Sequence, residues 1–272
     1  MMNRKIITSL IIALLFLILI FVIFFTVPSH YKNKVKVATH HLNAFNTKDE
    51  VARIVVFSDL DLYYDYDVES LKKVIAKINE QNPDLVIFNG DLILNSSYKE
   101  NKKLNAEIVA NLQTLKPLYG KFAILGEQDL NNKTSQQLLV ESDFEILTNK
   151  VRPIRINNKT FNIIGLLDND KQQDVLRAVD DKAFNMVVCH SPYIVDKIKT
   201  YKVNVIVLGH TLGGQYNLPL FGSVFADLKR YPYYKGVNEV NGIDVYTSNG
   251  LGIYQSNMRF NAPSSIELFI LE

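Results

Sequence analysis

Five runs of this chain end in residues that bind cations or move protons. "RIVVFSDLD" closes on Asp59 and Asp61, "DLVIFNGD" on Asp91, and "KFAILGEQD" on Glu127, Gln128 and Asp129. "NMVVCH" closes on His190 and "VNVIVLGH" on His210. A single aspartate at the end of a strand is commonly a turn former or a helix cap. Five apolar runs that each stop on a carboxylate or an imidazole point elsewhere, because ligands in α/β sheets collect beyond the carboxyl ends of strands. Oxygen and nitrogen donors converging from separate strands are what a divalent-cation site requires.

Helices must lie between these runs for the ends to meet. Val68, Leu71, Val74, Ile75 and Ile78 have helical spacing, and Asn82-Pro83 stops that helix. Leu104, Ile108, Leu112 and Leu115 mark a second helix. "FNIIGLLD" reads as a further strand, with a helix expected from Asp174 to Ala183 and a short one after Pro192. "KVKVATHHLNAF" opens the domain as a weakly alternating strand. On it His40 and His41 face opposite ways, so they do not readily share an ion. "DVYTSNG" and "SIELFILE" are strands with no helix between them. Alternating strands and helices with a strand-rich end predict α/β layers that are partly antiparallel or split into two sheets. The single cysteine, Cys189, excludes an intramolecular disulfide, and beside His190 on a strand it points away from any site His190 faces. It reads as a buried small hydrophobe.

With 47% hydrophobic residues in 272, the chain can bury a large core in one domain. Residues 6–27 carry no charge and reach the length of a membrane-spanning helix. They exceed the apolar region of a signal peptide, and no small-residue cleavage site follows at once. The expected organisation is a flank at 1–5, an anchor at 6–27, a stalk at 28–32 and one domain at 33–272. The short N-terminus is expected inside and the domain outside the cell membrane, in single-pass topology. The net charge of +2 includes Arg4 and Lys5 ahead of the anchor, so the remainder is near neutral. A near-neutral body argues against nucleic acid as a partner.

The ordered set "SDLD", "NGD", "GEQD", "CHSP" and "GHTLGGQ" resembles the calcineurin-like metallophosphoesterases. Their pattern is Asp-x-His, Gly-Asp, Gly-Asn-His-Asp/Glu, a lone His and Gly-His-x-His. "KINEQNPDLVIFNGDLI", "GHTLGGQYNLPLFG" and the closing "SNGLGIYQSNMRFNAPSSIELFIL" are similar to the membrane-associated, YkuE/YaeI-like branch of that family. The resemblance implies a four-layer αββα sandwich with mixed sheets, here behind one N-terminal transmembrane helix. It also implies two metals bridged by Asp91. One would take Asp59, residue 61, Asp91 and residue 212; the other would take Asp91, residue 127, His190 and His210. The resemblance further implies that water activated by the metals would attack phosphorus, with the histidine of the Gly-Asn-His motif assisting the leaving group.

Four positions depart from that pattern. His becomes Asp61, Asn becomes Glu127, His becomes Gln128, and the last His becomes Leu212. Asp61 and Glu127 still offer oxygen and favour harder ions. Leu212 offers nothing, and Gln128 cannot transfer a proton, a role worth roughly 10²–10⁴-fold. Asp59, Asp61, Asp91 and Glu127 would repel one another without a cation or basic partners. The expectation is one ion on Asp91, Glu127, His190 and His210, with a second position at Asp59 and Asp61 weak or remodelled. One or two divalent ions, manganese, magnesium, iron or zinc, are implied, with Asp91, Gln128 and Asp129 as the catalytic set. Asp65 and Asp67 in "DLYYDYD" are extra carboxylates in what reads as an exposed loop. Two functions follow. The first is a membrane-anchored hydrolase of a phosphomonoester, phosphodiester or pyrophosphate, of weakened activity, acting on a phosphorylated small molecule or a lipid-linked substrate. The second is a catalytically degenerate relative that serves as a binding or scaffold protein.

Overall fold

Helix α1 (Arg4–Thr26) is apolar around its circumference beyond Arg4 and Lys5, and its side chains from Arg4 to Val22 are exposed. A helix without a polar face calls for apolar surroundings on every side. It is long and apolar enough to cross a membrane. It begins two residues ahead of the expected anchor. The computed structural model describes residues 4–26, 35–62, 68–94, 101–169, 171–180, 182–218, 220–224, 231–254 and 259–272. The expected stalk at 28–32, and Asp65 and Asp67, lie outside the described residues.

The chain then runs β1 (Lys36–Leu42), β2 (Ala52–Phe57), α2 (Val68–Asn79), β3 (Leu85–Asn89), α3 (Lys102–Leu112) and β4 (Lys121–Ile124). It continues as α4 (Glu127–Leu130), α5 (Lys133–Glu141), β5 (Phe144–Ile146), β6 (Lys150–Ile156), β7 (Lys159–Leu166), α6 (Gln172–Arg177) and β8 (Phe184–Cys189). The last part is α7 (Ile194–Ile198), β9 (Val205–Leu208), β10 (Asn217–Leu218), β11 (Gly222–Ser223), β12 (Gly236–Val240), β13 (Ile243–Thr247) and β14 (Ser265–Leu271). One six-stranded sheet has the order β1-β14-β2-β3-β4-β5, the other β12-β13-β9-β8-β7-β6. In the first, β2 to β5 are parallel and β14 runs against them; in the second, β6 and β12 are antiparallel edges.

Three apolar layers hold the stack together. Leu71, Ile75 and Ile78 of α2, Ile108 of α3 and Leu139 of α5 pack on Val55 and Phe88 of the first sheet. Burying each such side chain contributes about 1.5–3 kcal/mol. Ile54, Ile87 and Phe269 meet Phe161, Met186 and Val207 between the sheets. Ile194 and Ile198 of α7 cover Val187 and Ile206 on the far side. The order is therefore helices, sheet, sheet, helices: the expected αββα sandwich. β2 and β3 are apolar almost throughout because parallel strands inside such a stack are covered on both faces.

Helix α6 and strands β5 and β6 differ from expectation. Helix α6 spans only Gln172–Arg177, not Asp174–Ala183. The Asp180 carboxylate accepts from the Lys182 amide at 2.9 Å and its carbonyl accepts from Asn185 at 3.0 Å, which turns the chain instead of continuing the helix. Strands β5 and β6 flank the fold without having been anticipated; Pro153 fits in β6 because that strand is an edge. His40 and His41 do face opposite ways. His40 bonds Glu267 at 2.8 Å against Tyr246 and Phe269, whereas His41 pairs with Glu272 at the surface.

Candidate metal centre

The carboxyl ends of β2, β3, β4, β8 and β9 converge, and the loops that follow them build one site. Asp59, Asp61, Asp91, His210 and Leu212 all have positive φ, between 47° and 70°. Aspartate and histidine tolerate this left-handed region better than most residues, whereas a leucine there is strained. Gly90 and Gly126 let the loops close. A Cβ on Gly126 would stand 2.1 Å from Asp91 Oδ1, and one on Gly90 would stand 2.5 Å from His190 Nδ1. Any side chain at either place would push apart the groups that make the site.

His190 is the centre of the arrangement. Its Nδ1 lies 2.7 Å from the Asn89 carbonyl oxygen, which can only accept, so Nδ1 carries a proton. Its Nε2 lies 3.1 Å from Asp91 Oδ2 and 3.3 Å from Glu127 Oε2 but makes no hydrogen bond among the described residues. His210 Nδ1 lies 3.1 Å from the same Glu127 Oε2, and the two imidazoles stand edge to face with centroids 5.4 Å apart. One ligand atom each from Asp91, Glu127, His190 and His210 falls within 4.8 Å of the others. A buried nitrogen that makes no hydrogen bond among the described residues, yet faces two carboxylates and stands beside a second imidazole, is the geometry a divalent cation fills. The residues present fit that ion.

The electrostatics agree. Burial alone would lower the pKa of His190, but the carboxylates of Asp91, Asp59 and Glu127 outweigh it and hold the ring well above its usual range. Burial would raise Glu127, yet its bond to His210 and the charge of His190 bring it down to about 2. Asp61 is pushed well up, first by burial and then by Asp59 and Asp91, and Asp59 is raised by burial. The cluster holds more negative charge than its histidines balance.

Asp59 and Asp61 flank the four-donor group. Asp59 accepts from the His210 amide at 3.0 Å and stands 3.8 Å from His190 Nε2. A cavity of about 380 Å³ opens over Asp59, Asp61, Asp91, Gln128, His210 and Leu212. Leu212, in a short 3-10 turn, presents no donor to it. Gln128 lines the cavity, and its backbone N–H donates to Asp91 Oδ1 at 2.9 Å. Asp129 has another role than the rest of the expected catalytic set. Fully buried, it accepts from the amides of Asp91, Leu92 and Gly126 and from Ser135 Oγ. It positions Asp91 and does not line the cavity.

Sequence reasoning missed Arg259, which is buried behind Leu212. Its guanidinium donates to the carbonyls of Leu212, Asn249, Gly252 and Ala262. Burial lowers its pKa to about 10, with Asp59 and Asp61 opposing that shift. An arginine outside any apolar run carries no local signal of such a role. Tyr231, whose hydroxyl lies 3.4 Å from His210 Nε2, was missed for the same reason. Asn89 was legible in principle, being a polar residue at the end of a wholly buried strand. Cys189 is buried on the α7 side, and burial pushes its thiol up, so it is not a nucleophile.

Two mixed sheets between helices, with carboxylates and imidazoles meeting at the carboxyl ends of their strands, define an αββα sandwich built around a candidate metal site. The sequence pattern of the calcineurin-like phosphoesterases matches residues 52–214, more than half of the chain, and the chain belongs to that family. It is similar to the uncharacterized metallophosphoesterase YkuE of Bacillus subtilis, at 29% identity over 81% of this chain and 79% of that one. It is also similar to the phosphodiesterase YaeI of Escherichia coli, at 27% identity over 78% of this chain and 80% of that one. A third relative is the UDP-2,3-diacylglucosamine pyrophosphatase LpxG of Chlamydia trachomatis, at 25% identity over 61% and 65% of the two chains.

Proposed function

We propose that this protein is a membrane-anchored, metal-dependent phosphoesterase that works with one well-held ion. Asp91, Glu127, His190 and His210 hold it, and Asp59 and Asp61 border a weaker second position. The observation that carries this reading is the convergence of one ligand atom each from Asp91, Glu127, His190 and His210 within 4.8 Å, with the buried His190 Nε2 facing both carboxylates. The same observation favours the hydrolase over a degenerate scaffold, which has no need to keep four donors so aligned.

A divalent cation supplies Lewis acidity towards a phosphoryl oxygen and towards water. The chain's own residues do the rest. Gln128 fixes Asp91 Oδ1 and leaves Oδ2 turned towards His190. Asn89 holds the His190 ring in the tautomer whose Nε2 is a donor to metal. Glu127, brought down to about 2, stays ionised across the physiological range. The Gln128 side chain, a carboxamide at the cavity, has no acidic proton to give a leaving group. Leaving groups that depart without one are favoured, which selects pyrophosphates and activated phosphodiesters over alkyl phosphomonoesters. A lipid-linked pyrophosphate fits both this chemistry and an anchor at α1, with the domain outside the cytoplasm.

The test is turnover of a nitrophenyl phosphodiester and of a nucleotide-sugar pyrophosphate by the purified full chain. Each is run with manganese, magnesium, iron or zinc. Activity that needs metal and is lost in Asp91→Asn is the expected result. Silence on both substrates with every ion would overturn the reading.

A further inference from the structure

The strand pairing fixes where the chain enters the sandwich. β1 is parallel to β14, with Lys36 opposite Ser265, and β14 runs against β2, with Glu267 opposite Val56. β1 therefore starts at the end of the sheet where β2, β3 and β4 finish, which is the end that carries the site. Eight residues, 27–34, separate α1 from the described domain. Even fully extended they reach roughly 30 Å. An anchor at α1 thus tethers the domain by its site end, on a leash of roughly 30 Å at most.

The same end carries an apolar projection. The β10–β11 hairpin follows the 3-10 turn after His210, and its base is fastened beside the cavity: Ser223 Oγ donates to the Gly214 carbonyl at 2.6 Å, and Gly214 lines the cavity wall. Its tip bears Leu220, 103% exposed, and Phe221, 79% exposed, with Val224 exposed next to them. Leu220 also has a positive φ of 68°. A leucine held in a strained backbone conformation to face water is costly twice over. Contiguous exposed apolar groups of this kind mark contact surfaces. Tyr254, half-exposed, stands at the cavity rim with an amphipathic ring suited to a membrane interface.

We propose that the site end of the sandwich faces the bilayer and that Leu220 and Phe221 enter its surface, bringing the cavity mouth to the headgroup layer. The occupant of this apolar tip is lipid. Substrates would then be amphiphiles whose phosphoester stands at the interface. This rests on the reading of α1 as a membrane anchor.

The chain contains no tryptophan, so a single introduced one reports its own position. Three variants of the full chain are reconstituted in phosphatidylglycerol–phosphatidylcholine vesicles with brominated acyl chains. Phe16→Trp reports the anchor and Phe221→Trp the hairpin tip. Leu118→Trp, exposed at the amino end of β4, reports the opposite end of the sandwich. Expected is strong quenching at 16, clear quenching at 221 and none at 118. Quenching at 16 with 221 no more quenched than 118 overturns the membrane-facing site and leaves the anchor standing. No quenching at 16 overturns both. An emission shift at 221 that follows protein concentration and ignores lipid assigns the tip to a second copy and also overturns the proposal. In support, Leu220→Asp/Phe221→Asp should lower turnover of a vesicle-borne phosphodiester roughly tenfold or more and leave a soluble one unchanged.

Discussion

The two halves of the cleft are built on opposite principles. Around His190 and His210, nitrogen and oxygen donors alternate and their charges partly cancel. On the other side Asp59 and Asp61 are carboxylates raised by burial, and Leu212 lines the cavity beside them without a donor. The bracing differs as well. Behind the first half, the carboxylate of Asp129 collects N–H donors. Behind the second, the guanidinium of Arg259 collects carbonyls. One half is arranged to receive a cation. The other has its local positive charge built into the chain.

Asp91 belongs to both halves, so its substitution breaks the comparison most severely. Asp91→Asn should cost on the order of 10²–10³ in turnover, the scale of losing a group that stabilises transition-state charge. Metal content, measured by elemental analysis on protein purified without chelator, should fall with it. A variant that keeps both its metal and its turnover would show that the four-donor group is not the working site.

Restoring the missing histidines separates the halves. Gln128→His returns a proton donor and should raise turnover up to roughly 10²-fold for an alkyl phosphodiester. It should change little for a nitrophenyl ester, whose leaving group needs no proton. Leu212→His adds a donor where the backbone, at φ 52°, already suits histidine better than leucine. It should move bound metal from about one ion per chain towards about two, with a smaller gain in rate. Equal effects of Gln128→His on both leaving groups would rule out proton transfer as the missing function.

The ion-free protein should respond to pH in a way the loaded protein does not. His190, Asp59 and Asp61 all have raised pKa values in the folded chain. The native state therefore binds more protons than the unfolded state, and stability falls as pH rises. For the aspartates the loss begins above the ordinary value of 3.8, and for His190 above 6.5. Glu127 works the other way, but its contribution is lost only as pH falls from 4.5 towards about 2. The melting temperature of the chelator-treated protein should thus decline from pH 5 to pH 8, and manganese should reverse the decline. A flat profile without metal would mean the carboxylates are relieved by some other cation.

Much of this was legible in the sequence because each donor of the better half ends an apolar run. Asp91, His190 and His210 follow strands buried on both faces, where a polar residue is conspicuous. Leu212 was legible as a break in the family's pattern. Arg259 was not: its partners are backbone carbonyls, which leave no trace in residue types, and its segment has no periodicity. The exposed tip at Leu220 and Phe221 was equally hidden, because an apolar pair after a strand reads the same whether it turns inward or outward. Strand β6 escaped because its burial alternates and Pro153 suggests a break.

The smallest effect should come from the bracing of the better half. Ser135 Oγ donates to Asp129 Oδ1, one of four donors to a carboxylate that burial and the nearby Asp91 both destabilise. Ser135→Ala removes that donor and leaves the three amide bonds that hold Asp91, Leu92 and Gly126. A hydrogen bond to a charged group contributes about 1.5–3 kcal/mol, so the variant should melt a few degrees lower. The amides still fix the loops, so metal affinity should change by less than about threefold, well below the 10–100-fold typical of lost support to a ligand. A larger fall in affinity at unchanged melting temperature would mean that Ser135 tunes the ion through Asp129. The bracing of that half would then belong to the metal site itself, not to the scaffold beneath it.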